Sequence, residues 1–103
     1  MHFLRILLCL ATVAATPALA RDFDPEGRVV VTAMADRTVY RLEKNGTRTM
    51  LADRFDGHRF NGPNDVVVES DGAVYFTDSV WGMRGAESDP GRELPYNGFY
   101  LIK

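Results

Sequence analysis

Cysteine is almost missing from these 103 residues: Cys9 is the single example, and it lies in an apolar stretch near the N-terminus. No disulfide can form within the chain, so a small core has to stand on packing alone. A charge excess of either sign is missing too. There are 12 basic and 14 acidic residues, a net of −2, with no clustered basic surface of the kind that phosphate backbones demand, which excludes nucleic acid as a partner. Long hydrophobic runs are also lacking. The longest, Ile6 to Ala15, is 10 residues, about half of what a helix needs to cross a ~30 Å hydrocarbon core, so no membrane anchor is expected. What remains is ordinary globular composition, 46% hydrophobic and 25% charged.

The first twenty residues differ from the rest. Met1 to Arg5 is a short basic start, the apolar run follows, and Thr16-Pro17-Ala18-Leu19-Ala20 ends in small residues. That layout predicts an export signal over residues 1–20, with cleavage after Ala18-Leu19-Ala20, and a secreted or periplasmic product spanning 21–103. Cleavage takes away one charge, Arg5, leaving 11 basic against 14 acidic residues, a net of −3 with His58 neutral and no cysteine. A rival reading treats Ala18-Leu19-Ala20-Arg21 as the remnant of a strand.

The rest of the chain is organised by a repeat. Phe23 to Thr32 lies over Val68 to Thr77 at an offset of 45 residues, Gly27 falling on Gly72. Helical patterning is absent, and a period of this size with β-branched and aromatic runs predicts the four-stranded antiparallel blades of a β-propeller. In each copy a Gly turn precedes a strand. The first copy continues with Thr38 to Leu42, a predicted type I′ turn at Asn45-Gly46, and an outer strand from Thr47 to Ala52. The same Asn45-Gly46-Thr47 matches a glycosylation sequon, but the turn accounts for it.

In the second copy the matching strand is Gly98 to Ile102, with Tyr100 lying 60 residues after Tyr40. The difference of 15 places an insertion between the strands, and Ser79 to Pro95, rich in Gly, Pro and charge, is expected to be a loop or lid. Asn64 to Val68 is expected to be the innermost strand, covered on both faces because it is apolar. Its counterpart in the first copy falls near Leu19 to Phe23, where signal cleavage cuts, so the first copy is expected to lack it.

The segment Arg59-Phe60-Asn61-Gly62-Pro63-Asn64-Asp65-Val66-Val67-Val68-Glu69-Ser70-Asp71-Gly72, with Val74 to Asp78 after it, resembles the central signature of the SMP-30/gluconolactonase/LRE-like family. Glu93-Leu94-Pro95-Tyr96-Asn97-Gly98-Phe99-Tyr100 is similar to the family segment that resumes the blade after an active-site loop. The resemblance implies an all-β fold: an incomplete β-propeller, about two antiparallel blades of a six-bladed whole. It also implies hydrolysis of a small-molecule sugar lactone to the aldonic acid, and a calcium or other divalent ion near the axis. On that resemblance Asn64 offers its amide oxygen to the metal, a hard donor suited to a hard cation, and Asp65 orients that ligand or bonds to the strand end.

Trp81 has two readings: a ring that stacks on a sugar, or a loop aromatic packed on its own blade. His58 is a substrate-side candidate, or a solvated turn histidine. The family's general base lies in later blades and has no match here, so the catalytic residue is unknown. Where the family commonly has Asp-Pro-Pro-Tyr-Gly, this chain has Asp78-Ser79-Val80-Trp81-Gly82, which points to a differently shaped lid. With so few blades, open faces and too few metal ligands, the chain is expected to be inactive alone. The alternative is a non-catalytic module that assembles with itself or a partner through those faces.

Overall fold

In the computed structural model, which describes residues 19–103, the repeat takes the form of two antiparallel sheets. The first has four strands in chain order, β1 (Leu19–Phe23), β2 (Val29–Ala33), β3 (Thr38–Leu42) and β4 (Arg48–Ala52). A two-stranded ribbon, β5 (Arg54–Phe55) and β6 (His58–Arg59), leads to the second sheet of β7 (Pro63–Val68), β8 (Val74–Asp78) and β9 (Phe99–Ile102). Among the described residues the only helical pieces are short 3-10 turns at Val80–Gly82 and Ala86–Ser88, and no helix is long and apolar enough to cross a membrane.

Three turns of one design set this pattern. In Asp24 to Arg28, Glu43 to Thr47 and Glu69 to Ala73, the first residue accepts a hydrogen bond from a glycine N–H three places on, at 2.9 Å in each case. The same residue donates its own N–H to the carbonyl four places on, at 2.8 to 2.9 Å. Gly27, Gly46 and Gly72 hold φ of 77°, 87° and 88°, the left-handed region that a side chain strains. This is a type I turn closed by a glycine bulge. It corrects the expectation at Asn45-Gly46, since a type I′ turn needs both central residues at positive φ and Asn45 is not among those that have it. The type I′ turn is at Asp56-Gly57, with φ of 52° and 79°, joining β5 to β6.

The register repeats with the turns. Val31 faces Tyr40 in the first sheet as Phe76 faces Tyr100 in the second, so the 45- and 60-residue offsets hold strand for strand. The expected gap in the first copy is not there: Leu19 to Phe23 pairs with β2 along its whole length, from Leu19↔Ala33 to Phe23↔Val29. The leader prediction therefore overlaps the sheet at Leu19 and Ala20; residues 1–18 lie outside those described.

One face of each sheet meets the other. Val30 and Val39 pack against Val66, Val74 and Phe76, with Phe60 and Leu94 closing the cluster. Phe60 sits edge-on to Phe76 with centroids 5.1 Å apart and contacts Tyr100 at 5.0 Å, pairs that contribute about 0.5–1.5 kcal/mol each beyond buried area. A polar bond crosses the seam, from the Val68 N–H to Asp22 Oδ2 at 2.8 Å. β7 is covered on this face alone. Val67, pointing the other way, is 52% exposed, which corrects the expectation of a strand buried on both sides: among the described residues no sheet lies over it.

Candidate functional site

The pairing of β7 with β8 is regular from Val68↔Val74 to Asp65↔Thr77 and then skips, Pro63 facing Asp78. Asn64 is the extra residue of that bulge. Bulges re-aim a side chain that regular alternation would fix, and Asn64 Oδ1 here accepts the Thr77 hydroxyl at 2.9 Å. The amide oxygen is thus held in place with a lone pair to spare. Asp65 is exposed, and its Oδ1 accepts the N–H of its neighbour Val66 at 2.9 Å, within β7 rather than at its end.

Behind the bulge lies a residue to which the motif assigns no role. Asp78 is 1% exposed, and its carboxylate accepts the backbone N–H of Asn61 at 2.8 Å and of Gly62 at 2.7 Å. Burial pushes its carboxyl above the usual carboxylate range, against the pull of those two N–H groups and of Arg37 and Arg92. The clamp fixes the two residues that lead into Pro63 and Asn64. Alternation gives the signal that finds it: Asp78 shares a strand face with Val74 and Phe76, so the period of two alone puts a carboxylate in the core.

The segment around the clamp is densely bonded. Asn61 Nδ2 donates to the Tyr96 carbonyl at 2.9 Å while its Oδ1 is buried without a partner, and the Val80 N–H donates to Asn97 Oδ1 at 3.2 Å. Gly62 permits this closeness, since a Cβ there would stand 2.9 Å from Met34 Cγ and 3.2 Å from the Ser79 carbonyl. The insertion is itself an ordered piece, with Asp89 accepting from Gly85 and Gly91 and Leu94 anchored in the core at 2% exposed.

The other candidates stand on other elements. Trp81 stands on the 3-10 turn just after β8, at the bulge end of the sheet, but is 79% exposed and does not pack on its blade. His58 is exposed on the β5–β6 ribbon, whose Phe55 leans on Tyr100 at 5.0 Å. The groove lined by Asp65, Val67, Tyr75, Thr77 and Phe99 lies on the open face of the second sheet and takes in neither.

Calcium is surrounded by 6–8 oxygen donors. Asn64 and Asp65 supply donors of the right kind, but Asp78 is consumed by two N–H groups, and no three His, Cys, Asp or Glu side chains cluster among the described residues. The described residues by themselves do not make a cation site.

Two tandem antiparallel sheets, with the same turns and register and a bulge ordering the entry of the second, define an all-β repeat protein. The chain belongs to the SMP-30/gluconolactonase/LRE-like family, whose model matches residues 11–102. A gluconolactonase of Zymomonas mobilis subsp. mobilis is 32% identical over 79 residues, which are 76% of this chain and 22% of that protein. A solved gluconolactonase of Xanthomonas campestris, described as important in glucose secondary metabolic pathways, superposes with a TM-score of 0.68 at 31% identity. That match covers 79% of this chain and 28% of the other. The chain thus spans about a quarter of the length of these relatives.

Proposed function

We propose that residues 19–103 are about two blades of a β-propeller lactonase, acting on a sugar lactone such as gluconolactone only when further blades complete the ring. The observation that carries this is the bulge at Asn64, which presents an immobilised amide oxygen at the entry of the first strand of its sheet. In that role Thr77 orients Asn64, Asp78 fixes the loop ahead of it, and Asp65 flanks it. A calcium or other divalent ion, when bound, would polarise the lactone carbonyl, and its remaining oxygen ligands would come from outside the described residues. Alone, the chain is proposed to be inactive.

Residues 19–102 put in place of the equivalent segment of a full-length gluconolactonase test the reading. Lactone hydrolysis that falls about ten- to a hundredfold with Asn64→Ala, the range seen when groups around a metal are removed, and that is lost on chelation supports it. Hydrolysis indifferent to Asn64 sinks it. Micromolar calcium binding with lactone turnover by the unaided chain would overturn the claim of inactivity. Export to a secreted or periplasmic location is a proposal that rests on the layout of residues 1–20. The cleavage point after Ala20 falls inside β1, which begins at Leu19, and the family match begins at residue 11.

A further inference from the structure

Each sheet has one face in the seam; over the other face, called open below, no sheet lies among the described residues, although Val31 and Ala33 in β2 of the first sheet are buried there, and the repeat relates these faces to the seam. On the second sheet the open face carries Val67, Phe99 and Leu101, which are 52%, 69% and 42% exposed, with Tyr75 stacked on Phe99 at 5.8 Å and Asp65 beside them. On the first sheet it carries Phe23, Leu42 and Met50, 62%, 38% and 56% exposed, with Arg21 exposed and Arg48 lying over the Tyr40 ring at 4.6 Å.

The seam gives a template for joining them. Moving along the chain by one repeat carries Ala20, Asp22 and Val39, on the seam face of the first sheet, to Asp65, Val67 and Phe99 on the open face of the second. The same step backwards carries Val66, Val68 and Tyr100 to Arg21, Phe23 and Tyr40. Ala20 and Val66 pack in one cluster, and Asp22 bonds to Val68. The equivalent contact between two molecules sets Asp65 against Arg21, Val67 against Phe23 and Phe99 against Tyr40. Acid meets base where the seam has two apolar residues, and the flanking positions are apolar.

We propose that copies of this chain associate head to tail, the β7–β9 open face of one on the β1–β4 open face of the next, with Asp65 paired to Arg21 of the next copy. The occupant is a second copy because both complementary halves are present in every molecule. The contact is heterologous, since the two faces differ, so association closes into a ring or extends. Propellers close at about 4–8 sheets, which two to four copies supply. This rests on the two-sheet repeat and is independent of lactone chemistry, so either reading can fail without the other.

The test is sedimentation velocity with light scattering on the full 103-residue chain. A discrete mass of two to four chains is expected. Arg21→Glu or Asp65→Lys alone should weaken association about tenfold or more, in line with close charge pairs across interfaces. Mixing the two single variants should regain it, since the contacts then alternate between Asp–Arg and Lys–Glu. Circular dichroism of each variant checks that the sheets persist, and Arg21→Gln with Asp65→Asn provides a milder pair. A monomer at the highest soluble concentration would assign the faces to a different polypeptide and overturn the proposal, as would mixtures that behave no differently from the single variants.

Discussion

A buried carboxylate with two backbone donors has a sharp dependence on its chemistry. Removing it in Asp78→Ala leaves the N–H groups of Asn61 and Gly62 without acceptors, which at about 1–3 kcal/mol each costs on the order of 3 kcal/mol, measurable as a lowered urea midpoint. The pH dependence has a definite sign. Because burial raises the Asp78 carboxyl in the folded chain, the folded state holds the proton more tightly, and stability falls as pH rises from the ordinary aspartate range through the raised value. Glu43 acts the opposite way. Its hydrogen bonds from Arg41 and Thr49 hold it low, so its contribution is present above the ordinary glutamate range and lost as pH falls through the lowered value. In Asp78→Asn the decline with rising pH should be absent from denaturation curves taken across that range, while the acid-side loss persists; an unchanged profile would show that Asp78 does not titrate there.

At the scale of elements, the turns are where the sequence speaks most plainly. Proline, aspartate and glycine at Asp24-Pro25-Glu26-Gly27 and Ser70-Asp71-Gly72 each have a local reason, and the 45-residue offset is legible because those reasons recur. Gly72→Ala should cost about 1–2 kcal/mol, the strain of a left-handed side chain, with no loss of contacts, since the position opens on empty space. Thermal melts of Gly27→Ala, Gly46→Ala and Gly72→Ala should show similar shifts.

What was less legible had a physical cause in each case. Leu19 to Phe23, LARDF, mixes charge with apolar residues and overlaps a leader pattern, so its pairing with β2 is visible only once the sheet exists. The bulge at Asn64 depends on where Pro63 meets Asp78, a contact between residues 15 apart that no local pattern encodes. Asp78 was readable from alternation, but its partners, two backbone N–H groups, carry no side-chain signature. A chain beginning at Arg21 loses two of the five β1 pairings. It should melt below the chain that keeps Leu19 and Ala20, and N-terminal sequencing of an exported product would show whether such a chain is ever made.

For the whole molecule, a modest core with no disulfide leaves stability open to mass action. If copies bind only through folded sheets, association draws the equilibrium toward the folded state, and the melting temperature should rise with protein concentration. Melts over a hundredfold dilution series check this, with the Arg21→Glu chain as comparison: its curve should be flatter. A parent whose melting point is independent of concentration would separate folding from assembly.

The bond from the Val68 amide to Asp22 Oδ2 fixes more than a distance. Successive residues of a strand advance about 3.3 Å, so sliding one sheet along the other by a single step would leave that amide facing a position without its carboxylate. Asp22 therefore acts as a dowel: two smooth apolar surfaces that could otherwise slip have one preferred alignment. Lengthening it to glutamate would leave the oil between the plates unchanged and loosen only the pin.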